Sequence, residues 1–250
     1  SISYINLLAS LNSQILSEHG QLEVVAPWLH KLVSGDALCA IALTEPRGGS
    51  DAGNLRLKVE RIGGDYVING GKLWITNGAQ ADWMCCLANT SEGSPHRNKS
   101  LIIVPMRAPG VTVARKIRKL GMHSSDTAQI HFDDVRVPCR HLIGEEGHGF
   151  TYQMLQFQEE RLWGAANSLK MLDSLIDQTI AYTRERQVFG RPILDNQVVH
   201  FKLAELKTEI EALRGLTYMA TEHYVAGKDV TEWASMAKLK AGRLSRLIPD

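Results

Sequence analysis

Thr44-Glu45-Pro46-Arg47-Gly48-Gly49-Ser50-Asp51 is the stretch of this 250-residue chain that decides its fold, and Trp74-Ile75-Thr76-Asn77-Gly78 accompanies it. Two consecutive glycines followed by a serine predict a tight turn, where backbone amides and a hydroxyl can approach a ligand. In the second segment, strand alternation places Trp74 and Thr76 on one face, as a flat apolar wall beside a hydroxyl. Each segment alone also fits a plain loop or a core strand, so the argument depends on their occurring together and in order.

The chain from residue 37 to 145 is typical of β-structure. Asp65–Ile75 predicts two strands around an Asn69-Gly70 turn, because asparagine and glycine tolerate positive φ angles. The other predicted strands are Trp83–Ala88, Ser100–Pro105, Val111–Ile117 and Ala128–Phe132.

Helical periodicity dominates both ends of the chain. The apolar positions near the start are Ile5, Leu7, Leu8, Leu11 and Leu16, and a second run over 22–32 ends at the stop signal Ser34-Gly35. The later helical patterns cover Phe150–Arg186, Asn196–Ala226 and Val230–Leu247. We therefore predict an α+β protein with three zones, helical over 1–36, all-β over 37–145 and helical over 146–250.

Composition and charge exclude several function classes. Hydrophobic residues make up 44% and charged residues 22%, as in an ordinary packed domain, and a net charge of +1 argues against nucleic-acid binding. No apolar run reaches the roughly 18–20 residues that span a bilayer, and residues 1–12 lack the pattern of a secretory signal. The four cysteines lack zinc spacing, so no metal site is predicted and buried reduced thiols are favoured over disulfides.

The two opening segments resemble the flavin-binding β-domain of the acyl-CoA dehydrogenase family. The resemblance continues through Gly121–Thr127, Glu160-Arg161 and Arg186–Gly190, and it covers roughly residues 15–250. It implies helices flanking a central orthogonal-sheet or barrel-like β-domain, FAD as the cofactor and an acyl-CoA thioester as the substrate. Independently, the chain lacks a strand–GxGxxG–helix unit, which argues against a Rossmann domain.

Flavin contacts are carried over from the resemblance onto both segments. The expected cofactor-binding residues there are Leu43, Thr44, Gly49, Ser50, Trp74 and Thr76. Ser50 is also expected to contact the substrate, and Ser125 matches a position near the pantetheine arm. Ile41 stands where the family's strand often has an aromatic residue, and Arg47 replaces a small residue of the turn.

The helix that begins near Phe150 supplies the candidate base. Abstracting a proton next to a thioester carbonyl requires a carboxylate held away from water, since burial raises its pKa and strengthens it as a base. Glu160 directly precedes Arg161, as the base does in the isovaleryl and long-chain members, so the resemblance assigns Glu160 as base and places Arg161 near the substrate's polar arm. Glu159 points about 100° away on the helix. Gly164 is expected to leave the backbone open to a close ligand.

A third motif implies contacts between subunits. In the family, the positions of Arg186 and Phe189 reach the flavin dinucleotide of a neighbouring subunit, and Gln197 is carried over with them. Guanidinium groups suit phosphate oxygens. Without the resemblance, a basic surface turn after a helix that ends at Gly190 is the preferred interpretation. The clamp implies a homodimer or homotetramer.

The resemblance implies FAD-dependent α,β-dehydrogenation of an acyl-CoA to a trans-2-enoyl-CoA. Glu160 would take the α-proton, flavin N5 would accept the β-hydride, and an electron-transferring flavoprotein would be the electron acceptor. The expected compartment is the mitochondrial matrix, with bacterial cytoplasm as the alternative. Acyl length and branching are not specified by these residues.

Several alternatives stay open. An acyl-CoA oxidase or a non-catalytic flavin-binding member would share most of these residues. Relatives that bind DNA draw attention to the basic run Arg115-Lys116-Ile117-Arg118-Lys119, for which a solvated strand end is favoured. Family members carry longer N-terminal and C-terminal helical parts, so the chain is expected to be truncated at both ends. A glutamate in that C-terminal part is the alternative base.

Overall fold

Helices lie at both ends of the chain and strands fill the middle in the computed structural model, which describes residues 2–250 and side chains from Leu7 onward. Ser1 of the first predicted zone and the side chain of Ile5 lie outside the described residues. The helices are α1 (Ile2–His19), α2 (Leu22–Ser34), α3 (Gly149–Glu185), α4 (Gln197–Val225) and α5 (Thr231–Leu247). The strands are β1 (Cys39–Ala42), β2 (Lys58–Ile62), β3 (Asp65–Thr76), β4 (Trp83–Asn89), β5 (Lys99–Pro105), β6 (Val111–Lys116), β7 (Thr127–Pro138), β8 (Leu142–Ile143), β9 (Gln187–Val188) and β10 (Arg191–Pro192).

The predicted α+β order is confirmed, and so is the predicted end of α2. Gly35 has a φ of 82°, and its backbone N–H donates to the Leu32 carbonyl, which satisfies one of the last helical carbonyls. The apolar stripe of α1 is buried at Leu11 and Leu16. Periodicity therefore identified these helices because their inward faces exclude water.

The predicted hairpin turn at Asn69-Gly70 is wrong. Strand β3 runs without interruption through these residues. The hairpin turn is Gly63-Gly64, which connects β3 to β2, a strand that the sequence analysis did not predict. Gly63 takes a φ of 63°, as a two-residue hairpin requires. Gly70 lies instead at a register shift in the ladder to β7, where a Cβ atom would come 2.9 Å from the Leu57 side chain. Close chain approach, rather than a turn, explains that glycine.

The eight strands β1–β8 form one mixed sheet. Its order is β6-β7-β3-β2-β4-β5-β8, and β1 pairs with β4 in parallel. Among the described residues, β2 meets β4 at the single pair Lys58 and Asn89, so the sheet consists of two well-paired halves. Its core side chains include Ile68, Ile75, Met84, Ile102 and Val135.

The chain divides into two compact units, Ser1–Gln156 and Phe157–Asp250, and the division falls within α3. In the first unit α1 packs on the sheet region, since its His19 carbonyl accepts from Gly144 N–H and its Asn12 amide donates to Cys39 Sγ. In the second unit α3, α4 and α5 share an apolar core that includes Leu172, Ile210 and Ala237.

Two further observations concern the described residues 2–250. None of their helices combines the length and apolar character that crossing a bilayer requires. Their histidine, cysteine and acidic side chains form no group of three or more suited to a metal ion. Cys39, Cys85 and Cys86 are buried free thiols, and Cys139 is half-buried and also free.

Candidate functional site

The first predicted segment leaves β1 and closes into a turn at once. Glu45 and Gly48 exchange backbone hydrogen bonds of 3.0 Å in both directions. Leu43 is buried, Thr44 and Gly49 are half-buried, and Ser50 is exposed. A Cβ atom on Gly49 would lie 3.1 Å from Thr44 Cγ2, so this glycine lets the returning chain approach the threonine side chain.

A buried ion pair, which sequence reasoning missed, fastens this turn to β3. Lys72 Nζ lies 3.0 Å from Glu45 Oε1 and donates to the Leu43 carbonyl at 2.8 Å. The same carboxylate accepts from the backbone N–H groups of Arg56 and Leu57, at 2.6 and 2.9 Å. Both side chains are buried, and each charge is compensated by several hydrogen bonds. A lysine in the apolar pattern of β3 was the available signal.

The second predicted segment has an unusual backbone at Trp74. Its φ is 64°, in the left-handed region that a bulky side chain seldom adopts, at a register shift between Lys72 and Ile75. Trp74 is 55% exposed, Ile75 is buried and Thr76 is half-buried. The indole is therefore presented to solvent by a strained backbone, an arrangement that clusters at functional sites.

The end of β3 connects to the Ser125 region through residues that sequence reasoning did not assign. Buried Asn77, at a φ of 63°, donates from its side chain to the Cys39 carbonyl and from its backbone to the Asp126 carbonyl. Asp126 Oδ2 accepts from Ala79 N–H at 2.7 Å. Thr76 pairs with Thr127 across the β3–β7 ladder. The structure thereby brings the Thr44, Trp74, Thr76 and Ser125 regions together.

The hydroxyl groups around this point are available to a ligand. Within the described part of the chain, the side chains of Thr44, Thr76 and Ser125 make no hydrogen bond. Thr44 and Thr76 are half-buried, and Leu73 N–H donates to the Thr44 carbonyl at 2.9 Å. An exposed indole, together with two half-buried hydroxyls that have no hydrogen-bond partner among the described residues, fits a planar, partly polar ring such as an isoalloxazine.

Two adjacent glutamates of α3 have different surroundings. Tyr224 OH donates to Glu159 Oε2 at 3.2 Å. Glu160 is half-buried and, among the described residues, has neither a hydrogen bond from its side chain nor an ion pair within 4.0 Å. Burial raises the pKa of Glu160, while the charges of Arg161 and Lys238 oppose that rise. Glu160 thus combines partial burial, a raised pKa and a carboxylate that accepts no hydrogen bond within the described residues.

The expectation that Gly164 leaves the backbone open is wrong. A Cβ atom on Gly164 would lie 2.8 Å from Cε and 3.0 Å from Cδ of Lys238, so the lysine side chain covers this glycine. Glycine here allows α5 to bring Lys238 close to α3, on the helix face that Gly164 shares with Glu160 at i and i+4.

Arg161 makes a cation–π contact with Phe157. Its guanidinium carbon lies 5.8 Å from the centre of the phenyl ring.

The third motif forms a small hairpin. Helix α3 ends at Glu185 and not at Gly190, and β9 pairs with β10 around Phe189-Gly190. These two residues have φ angles of 51° and 78°, typical of a two-residue hairpin turn, and Phe189 is fully exposed. Arg186 and Gln197 are exposed as well. About 38 Å of helix separates Glu160 from Glu185, so one chain does not bring its predicted base and clamp together.

Comparisons with known proteins identify the family of the chain. The profile of the acyl-CoA dehydrogenase middle domain matches residues 40–135, and that of the acyl-CoA dehydrogenase C-terminal domain matches residues 147–249. The chain is 38% identical over 234 residues to an acyl-CoA dehydrogenase of Bacillus subtilis, covering 94% of this chain and 62% of that protein. It is 34% identical to the mitochondrial long-chain specific acyl-CoA dehydrogenase of Rattus norvegicus, covering 96% and 57%.

A solved structure extends the comparison to the fold. A glutaryl-CoA dehydrogenase of Mycobacterium smegmatis in complex with FADH2 superposes with a TM-score of 0.90 at 30% identity, covering 98% of this chain and 62% of that one. The chain thus spans less than two thirds of the length of these relatives. The chain belongs to the acyl-CoA dehydrogenase family.

Proposed function

We propose that this member of the acyl-CoA dehydrogenase family binds FAD and takes part in α,β-dehydrogenation of an acyl-CoA to a trans-2-enoyl-CoA. Glu160 is the observation that carries the proposal. Its carboxylate is half-buried, has a pKa raised by burial and makes no hydrogen bond within the described residues. These are the properties of a general base and not of a structural acid.

The proposed flavin site lies where the first two motifs meet. Trp74 supplies a flat wall, and the hydroxyls of Thr44 and Thr76, which have no partner within the described part of the chain, supply hydrogen bonds to the polar edge of the ring. Gly49 and Ser50 offer backbone and hydroxyl groups to its phosphates, and buried Leu43 backs the turn. When bound, FAD would supply the acceptor for the β-hydride at N5.

The chain itself would contribute a proton acceptor and contacts that orient the substrate. Glu160 would accept the α-proton on its carboxylate. Burial raises the pKa of that carboxyl, which strengthens it as a base, and the charges of Arg161 and Lys238 oppose the rise. Arg161, which makes a cation–π contact with Phe157, is proposed to contact the polar arm of the substrate. Ser125 is a separate proposed contact of the pantetheine arm.

The partners follow the family. Arg186, Phe189 and Gln197 are proposed to reach the flavin of a second subunit in a homodimer or homotetramer, which accounts for the complete exposure of Phe189. An electron-transferring flavoprotein is the proposed electron acceptor. Free cysteines suit a reducing compartment, either the mitochondrial matrix or a bacterial cytoplasm.

The decisive test is the anaerobic visible spectrum of the purified protein during titration with saturated acyl-CoAs of different length and branching. We expect an oxidised-flavin band that one class of acyl chain bleaches. A flavin band that no acyl-CoA bleaches would indicate a non-catalytic member, and rapid reoxidation in air would indicate an oxidase. Protein without any flavin would contradict the proposal.

A further inference from the structure

The basic run at the end of β6 lines a pocket. It has a volume of about 390 Å³ and is bounded by Lys116, Ile117, Arg118, Lys119, His123 and Ser125. Ligand pockets typically start near 300 Å³. Three of these side chains are permanently cationic, and none is acidic. The run therefore surrounds a concave surface, although its sequence pattern favoured a solvated strand end.

Two of the cations are uncompensated. Within the described residues, the side chains of Lys116 and Arg118 form no hydrogen bond and no ion pair within 4.0 Å, and both are exposed. The nearest acid in sequence is Asp126, which is buried and accepts from Ala79 N–H. Guanidinium and ammonium groups held without a carboxylate partner are suited to phosphate oxygens.

The rim of the pocket is held in place by its third cation. Lys119 Nζ donates to the Ser125 carbonyl at 2.7 Å and to Thr127 Oγ1 at 2.9 Å. His123 Nε2 lies 3.0 Å from the Lys119 carbonyl, and Ile117 N–H donates to the Thr127 carbonyl. Lys119 thus fastens the loop to β7 and leaves Lys116 and Arg118 to face a ligand.

The apolar surface of the same loop is also uncovered. Ile117 lines the pocket, Leu120 is fully exposed and Met122, at a φ of 54°, is half exposed. Such a combination of apolar surface and free cations suits a purine nucleotide, which offers a flat ring and several phosphate charges.

We propose that this pocket binds the phosphorylated nucleotide of the CoA substrate, with Lys116 and Arg118 contacting its phosphates and Ile117 its base. The proposal rests on the proposed function, because Ser125, assigned to the pantetheine arm, forms part of the pocket wall. Contacts at this pocket would contribute to substrate binding independently of the acyl chain.

The test compares ligands with and without the nucleotide. Calorimetry measures the dissociation constants of CoA, of adenosine 3′,5′-bisphosphate and of pantetheine for the wild type, for K116Q/R118Q and for K31Q/R107Q. The last variant removes two exposed charges that do not line the pocket. We expect K116Q/R118Q to weaken CoA and the bisphosphate by about tenfold or more, with little change for pantetheine and a weaker salt dependence. The control variant should retain wild-type constants.

Several outcomes would overturn the proposal: equal loss for pantetheine and CoA, unchanged CoA binding, loss of flavin from K116Q/R118Q, or tight duplex-DNA binding that depends on these residues. The proposed function is read separately, from flavin bleaching by an S-acyl pantetheine that carries no nucleotide. Bisphosphate binding without bleaching would contradict the proposed function and keep the nucleotide site. Bleaching together with unchanged CoA binding in K116Q/R118Q would support the proposed function and contradict the nucleotide site.

Discussion

The turn after β1 and helix α3 each contain a glutamate that is at least partly removed from water, and the two carboxylates differ in their hydrogen bonding. Glu45 is buried beside Lys72 and accepts from two backbone N–H groups as well. Glu160 is half-buried, and its carboxylate makes no hydrogen bond within the described residues. A satisfied carboxylate holds structure, whereas an unsatisfied one remains available for proton transfer.

The sharpest test of this comparison is Glu160→Gln. We expect acyl-CoA-dependent flavin reduction to fall by about 10²- to 10⁴-fold, the usual contribution of a general base, with flavin content unchanged. Stopped-flow absorbance at the flavin band measures the rate. The matched control is Glu159→Gln, which should change the rate only severalfold because that carboxylate is bonded to Tyr224. A reversed order of effects would assign the base to Glu159.

Removing the cation that pairs with Glu45 should lower the stability of the fold. Lys72→Met leaves the Glu45 carboxylate buried without its cation, which we expect to cost about 3–5 kcal/mol of unfolding free energy. Denaturant unfolding measures it. The control Lys58→Met removes an exposed 2.9 Å ion pair with Glu60 and should leave the midpoint almost unchanged. Equal effects of the two substitutions would contradict a structural role for the buried pair.

Substitutions of Trp74 should change the stability of the fold and the binding of flavin by different amounts. Glycine adopts a φ of 64° without the steric penalty of a Cβ, so Trp74→Gly should be more stable than Trp74→Ala by about 1 kcal/mol. Both variants should retain less flavin than the wild type. Unfolding midpoints and the flavin-to-protein absorbance ratio measure the two effects. Full flavin retention in both would remove Trp74 from the proposed site.

The smallest expected effect is the pH dependence of stability at Glu160. Its folded pKa is raised, so between the ordinary glutamate value of about 4.3 and the raised value the folded state holds a proton that the unfolded state releases. Wild-type stability should therefore decline relative to Glu160→Gln as pH rises through that window. Below it the two proteins should differ least. A constant difference from pH 4 to 8 would show that the pKa is not raised by folding.

Local sequence patterns predicted much of the fold, but not the places where distant segments decide the backbone. Asn69-Gly70 reads as a hairpin turn, yet the Asn69 amide donates to Asp134 and the glycine permits close approach to Leu57. Gly190 reads as a helix end, yet it completes a hairpin turn. In both cases, a residue that tolerates positive φ was correctly identified and assigned the wrong element, because tertiary contacts select its use.

The sequence by itself determined the order of helices and strands, the family and the motif residues, because periodicity and short motifs are encoded locally. The tertiary structure alone decided which charges are compensated. It paired Glu45 with Lys72, placed Lys238 over Gly164 and curved the 116–125 segment around a pocket. Among the residues that the structure describes, it gave the Glu160 side chain no hydrogen-bond partner. Burial and pairing depend on residues far apart in the chain, so the same glutamate or lysine becomes a structural or a functional group only after folding.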